Sequence, residues 1–259
     1  MNTQPIGIFD SGVGGTSLWK EIFALLPHEN TIYLADSANA PYGSKSKNEI
    51  LQLSIKNTEY LLNKNCKLIV VACNTATTNA IDILRSQYKV PFIGIEPAIK
   101  PAALNSKTKA IGILATKGTL SSELFHNTST LYTQGHRVVE RIGEGLVELI
   151  EAGKANDPLT KALLKTYLDP MIAANIDYLV LGCTHYPYLM PLLLELLPEQ
   201  VKIIDSGLAV AKQTKVVLDQ YDVLNAQNTP SENQFFTNGN PEVMKDLLGG
   251  AFNVDVLDF

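Results

Sequence analysis

The sequence predicts an α/β fold of mostly parallel sheets flanked by helices. Three observations carry this. Short apolar runs rich in Val, Ile and Leu alternate with helix-period segments along the 259 residues. Several of these runs are apolar at nearly every position, as in strands buried on both faces. Two strand-like blocks also recur at nearly one spacing, which points to two similar halves related by a pseudo-two-fold.

The first strand is Ile6–Asp10, followed by the glycine-rich loop Asp10-Ser11-Gly12-Val13-Gly14-Gly15 and a helix over Leu18–Leu26. Thr31–Asp36 reads as a strand. Asn39-Ala40-Pro41-Tyr42-Gly43 reads as a turn that could present a hydroxyl and a backbone N–H. Lys47–Asn63 is then a helix, Leu68–Cys73 a strand, Thr77–Tyr88 a helix and Pro91–Ile95 a strand. Further strands are expected at Ala110–Ala115, Arg137–Ile142, Tyr178–Cys183, Val201–Asp205 and Gln234–Thr237. Helices fit Leu120–Leu131, Gly145–Ala152, Pro158–Asn175, Tyr188–Leu196 and Leu208–Gln220. The repeat pairs Ile6-Gly7-Ile8 with Ile111-Gly112-Ile113, and the block starting at Leu68 with the block starting at Tyr178, at offsets of 105 and 110. The most loop-like stretch, Gln227–Asn233, lies late in the chain and not between the halves, so close packing of the two is expected.

With 21 basic and 26 acidic residues the net charge is −5, and the whole chain lacks the basic footprint of a nucleic-acid partner. No apolar run approaches the ~18 residues of a membrane helix, and no basic-then-apolar leader opens the sequence. Three cysteines, an odd and low count, suit a reducing, cytoplasmic setting where free thiols can do chemistry.

Cys73 and Cys183 each end a buried strand and precede helix-opening residues: Asn74-Thr75 after one, Thr184-His185 after the other. Ligands of open α/β sheets bind beyond the carboxyl ends of the strands. A helix N-terminus there favours thiolate. Taken singly, each thiol reads as a small buried hydrophobe; as a matched pair they point to one ligand faced from two sides. Cys66 lacks such a setting. Cys183-Thr184-His185 lacks the usual zinc spacings, so no metal is expected. The glycine loop has Ser17 where a dinucleotide fingerprint needs glycine, and Asp10 would repel a pyrophosphate. Its backbone N–H groups suit a carboxylate ligand instead. Asp10 and Glu151 are the candidate helper carboxylates, with a solvated helix face an equal reading for Glu151, and His185 is the candidate acid or base. His28, His126 and His136 have surface-like neighbours and no evident partner, and the lone Trp19 reads as packing.

In combination these blocks resemble the glutamate racemases of the aspartate/glutamate racemase family. The resemblance rests on Gly7–Gly15, Ala40-Pro41-Tyr42-Gly43, Val71–Ala76, Gly94-Ile95-Glu96-Pro97 and Leu181–Pro187, in that order. It implies a cofactor-independent enzyme supplying D-glutamate for peptidoglycan, with the active site between two α/β domains. Because the C-terminal segment returns to the first domain in such proteins, the division expected is 1–97 plus 208–259 and 98–207. Cys73 and Cys183 would be the catalytic thiols. Asp10, Ser11, Tyr42, Gly43, Asn74, Thr75, Thr184 and His185 would bind glutamate or assist. Glu151 carries over less directly, since the block before it lacks the Cys-Pro often found there. A homodimer is implied by the resemblance only, and aspartate is the nearest alternative substrate.

Overall fold

The computed structural model describes residues 3–225 and 230–259. The first half holds β1 (Ile6–Asp10), α1 (Thr16–Leu25), β2 (Thr31–Ala35), α2 (Lys47–Asn63), β3 (Leu68–Val71), α3 (Asn74–Gln87) and β4 (Phe92–Gly94). Next come α4 (Ile99–Asn105), β5 (Ala110–Ala115), α5 (Lys117–Leu120), α6 (Glu123–Tyr132) and β6 (Arg137–Ile142). These are followed by α7 (Leu146–Glu151), α8 (Pro158–Ala173), β7 (Tyr178–Gly182), α9 (Met190–Leu196) and β8 (Lys202–Ile204). The chain then runs through α10 (Gly207–Gln220), β9 (Asn233–Thr237), α11 (Pro241–Leu247) and β10 (Asp255–Val256).

Two sheets result, ordered β10-β9-β2-β1-β3-β4 and β6-β5-β7-β8. Every pairing is parallel. Helical crossovers supply the connections such strands need. Apart from the added β9 and β10, the halves share one strand order, second-first-third-fourth. The register repeats too: Phe9 faces Val71 in one sheet and Leu114 faces Leu181 in the other. Cys73 and Cys183 therefore leave their sheets at equivalent points, two residues beyond those pairs.

The central strands β1, β3 and β5 are wholly buried, which is why they are apolar save for Asp10 at the end of β1. Trp19 packs as expected. It stacks on Phe23 and meets Phe235 and Phe252 edge-on, at 4.7 and 5.0 Å, tying α1 to the returning C-terminal segment. At the end of the sheet away from the strands' carboxyl termini, Lys67 and Glu29 form a buried ion pair of 2.6 Å; Lys67 also donates to the Val223 carbonyl.

Several boundaries differ from the sequence reading. Helix α3 starts at Asn74, not Thr77, because Cys73 is its N-cap. The expected helix Leu120–Leu131 is split, since Ser122 caps a new helix by accepting from the Phe125 amide. The short elements α4, α11 and β10 carry too few apolar repeats to stand out. Residues 227–229 of the expected late loop lie outside the described residues. No helix among the described residues is long and apolar enough to cross a membrane.

Candidate active site

The carboxyl ends of β1, β3 and β7 converge on one small cavity of about 10 Å³, lined by Cys73, Cys183 and His185. Ser11, Asn74, Thr75 and Thr184 line it as well, with Tyr42 and Gly43 on the side of the 36–43 loop. That volume is roughly what one water needs.

Cys73 sits at the start of α3. Its Sγ accepts from the Ala76 amide at 3.4 Å and donates to Ser11 Oγ at 3.6 Å. Burial, then the nearby Asp10, push this thiol well above its ordinary range. Cys73 accordingly holds its proton.

Cys183 differs. A 3-10 turn over Tyr186–Leu189 follows it and no α-helix begins before Met190, so the expected helix N-terminus is missing there. Its partner is His185, with Sγ and Nδ1 3.8 Å apart. The other ring nitrogen, Nε2, lies 2.6 Å from Glu151 Oε1. Burial disfavours the charged imidazole, yet the Cys183 sulfur and the Glu151 carboxylate outweigh it and hold His185 well above the ordinary histidine range. The two sulfurs, both buried, thus differ in setting: Cys73 caps a helix beside Asp10, whereas Cys183 sits against an imidazole that can exchange a proton with it, and whose Nε2 also lies 3.2 Å from the Gly14 amide.

Glu151 is not on a solvated face. Its side chain is only 15% exposed. Besides His185, Oε1 accepts from the Val13 amide at 2.7 Å, and Oε2 accepts from Ser37 Oγ at 2.8 Å. Position 12 must be glycine for this to happen, because a Cβ there would lie 1.9 Å from Glu151 Oε1. Asp10 ends β1 in full burial. Its carboxylate accepts from the Gly15 amide at 2.7 Å and from Thr184 Oγ1 at 3.4 Å. Burial pushes its carboxyl up from 3.8 to about 6, against the opposing pull of His185.

Two expectations need correction. The glycine-loop amides of Val13 and Gly15 are taken by Glu151 and Asp10, and so are not held open for a ligand. The Tyr42 hydroxyl points into the core: it donates to the Asp36 carboxylate and accepts from Asn57 Nδ2 at 3.1 Å. Tyr42 itself still borders the cavity. Asn74 donates to the Ile95 carbonyl at 3.3 Å, and Thr75 Oγ1 pairs with Thr116 Oγ1 at 2.7 Å. Among the other histidines, His136 does have a partner, since its Nε2 lies 2.9 Å from the Ala103 carbonyl.

Thr116, Val147 and Ser37 escaped the sequence reading. Thr116 was within reach: adding the repeat offset of 105 to Ser11 lands on it, and both border the cavity. A wider cavity of about 300 Å³ shares Pro41, Gly43, Thr116 and Val147 with the small one and is also lined by Glu144 and Glu148.

A two-domain α/β fold whose halves each bring a thiol to one shared cavity is the architecture of an enzyme that moves a proton across a carbon centre. The chain belongs to the Asp/Glu/Hydantoin racemase family, whose model matches residues 10–214. It is 45% identical to a glutamate racemase of Herpetosiphon aurantiacus over 93% of this chain and 95% of that relative. Among solved structures it resembles a glutamate racemase of Bacillus anthracis (TM-score 0.87, 30% identity, 100% of this chain and 98% of that one). It also resembles a glutamate racemase of Francisella tularensis in complex with D-glutamate (TM-score 0.85, 28% identity, 100% and 98% covered).

Proposed function

We propose that the protein interconverts L-glutamate and D-glutamate by proton transfer at Cα between Cys73 and Cys183, supplying D-glutamate for peptidoglycan. The observation that carries this reading is that both sulfurs border one cavity from sister halves of identical strand order. Inversion requires that a proton leave one face of Cα and return to the other, which a single base cannot easily do.

In the proposed reaction, Cys183 takes the Cα proton of L-glutamate and the electron pair moves into the α-carboxylate. Cys73 Sγ–H then delivers its proton to the opposite face. For D-glutamate the roles reverse, with Cys73 the base. His185, held by Glu151, moves a proton to or from Cys183. Asp10 and burial keep Cys73 protonated until it is needed. Side chains of Asn74, Thr75 and Thr184 are the donors for the developing negative charge once bound substrate draws them from their partners Ile95, Thr116 and Asp10.

A glutamate molecule exceeds the space between the sulfurs, so its entry requires the halves to part. The bonds that would yield cross between them: Glu151 to Ser37 and Val13, Thr75 to Thr116, and Ser17 Oγ to the Thr184 carbonyl at 2.8 Å. The domain division proposed is 1–97 plus 208–259 and 98–207. We also propose a cytoplasmic homodimer. The test is exchange of the Cα proton of glutamate in D2O, followed by NMR, with racemisation followed by optical rotation. Exchange and inversion of either enantiomer are expected; binding without exchange would overturn the proposal. Initial rates on aspartate and glutamate decide the substrate, with glutamate expected to be faster.

A further inference from the structure

The C-terminal run Thr237-Asn238-Gly239-Asn240 has no part in the site as so far described. Asn238 directly follows β9, and its carboxamide reaches back into the 36–43 loop. Nδ2 donates to Asp36 Oδ1 at 2.6 Å, and Oδ1 accepts from the Ala38 amide at 2.9 Å. One side chain thus grips the residue before Ser37 and the residue after it. Gly239 adds to the fit, since a Cβ there would lie 2.6 Å from the Ser37 Cβ.

What is gripped is the donor to Glu151. Ser37 Oγ holds Glu151 Oε2, and Oε1 of the same carboxylate holds His185 Nε2, whose ring faces Cys183. The Asp36 carboxylate is buried and is anchored by other neutral donors besides Asn238, namely Asn39 at 2.8 Å and the Tyr42 hydroxyl. The far end of the clamp is therefore fixed, and the position of Ser37 depends on whether Asn238 is in place.

We propose that Asn238 is a positioning residue for the reaction, setting the Cys183 side of the site through Ser37, Glu151 and His185. The proposal rests on the racemase reading for its kinetic consequence, but not for its structural one. Misplacing a supporting contact by an ångström is enough to lower turnover strongly. Of these four groups only His185 lines the cavity between the sulfurs, so the effect falls on kcat rather than on KM.

The experiment compares the parent protein with Asn238→Ala, Asn238→Ser, Ser37→Ala and the double variant Asn238→Ala/Ser37→Ala. Asn240→Ala is the control. Asn240 caps α11 by accepting from the Glu242 amide, and it has no link to the site. Expected are a fall in kcat of about tenfold for Asn238→Ala with KM within twofold, and no further fall in the double variant, since both changes release the same carboxylate. Asn240→Ala should lower the melting temperature and leave kcat unchanged. Should Asn238→Ala fail to fold, Asn238→Ser carries the same prediction. An unchanged kcat, a rise in KM alone, additive losses, or an equal fall in kcat for Asn240→Ala would overturn the proposal. A second readout does not depend on turnover: the imidazole nitrogen NMR signals of His185, assigned by their loss in His185→Gln, should move in Asn238→Ala. If they stay put the clamp is refuted. If they move while the parent fails to racemise glutamate, the functional reading fails and the clamp stands.

Discussion

Replacing Gly12 by alanine tests the site without touching either sulfur. The new Cβ would lie 1.9 Å from Glu151 Oε1 and 2.6 Å from its Cδ. Normal contact needs about 3.4 Å or more, so the carboxylate must retreat by more than 1 Å. It is the far end of a flexible side chain, so the fold survives; the casualties are its bonds to the Val13 amide and to His185 Nε2. A hydrogen bond to a charged group contributes roughly 1.5–3 kcal/mol. If the His185 bond supports the transition state by that much, kcat falls about 10- to 150-fold. The assay is kcat in both directions by optical rotation, with a thermal melt to verify folding. Mirror-image substrates have equal free energies in water, so kcat/KM must fall equally for L- and D-glutamate while the two kcat values are free to differ. A kcat within twofold of the parent, in a protein shown to carry the alanine, would refute the role given to Glu151.

Cys73→Ser and Cys183→Ser should each lower racemisation by more than about a thousandfold with an unchanged circular dichroism spectrum; full activity in either excludes the two-thiol pathway. Asp10 holds extra protons in the folded state because its carboxyl titrates at about 6 instead of 3.8. The resulting stabilisation is complete below about pH 4 and is lost as pH rises through about 6, an effect on the order of 3 kcal/mol. Asp10→Asn should flatten that part of the pH–stability curve in urea titrations, and an unchanged slope would contradict it. Lys67→Met leaves Glu29 buried without its cation, at 2% side-chain exposure, and should cost about 3–5 kcal/mol in urea unfolding. Its kcat should stay at the parent level, since the pair lies at the opposite end of the sheet.

The α/β class was legible because parallel strands buried on both faces read as near-continuous apolar runs, and β1, β3 and β5 do, with Asp10 at the end of β1 the one exception. The paired thiols were legible for a related reason: a duplicated half repeats its chemistry at a nearly constant offset, 110 for the two cysteines and 105 for Ser11 and Thr116. Glu151 was ambiguous because a short helix such as α7 does not reveal in sequence which face is covered. The Tyr42 hydroxyl was misjudged since nothing local indicates that Asp36 and Asn57 enclose it. Cys183 lost its expected helix because Pro187 and the residues around it form a 3-10 turn first, which put His185 in charge of the sulfur. Asn238 was invisible for a different reason: it acts on a loop two hundred residues earlier, and only the return of β9 to the edge of β2 brings the two together.

That return also bears on how the chain acquires its structure during synthesis. The sheet β6-β5-β7-β8 is contiguous in sequence and can close as soon as residue 204 has left the ribosome. The six-stranded sheet cannot, because residues 233–256 supply its outer strands and emerge later. Until then β2 is an exposed, apolar edge of the kind that invites pairing with a neighbouring nascent chain. A stop codon placed after α10 should therefore yield insoluble protein whose middle portion is nonetheless folded and resistant to protease.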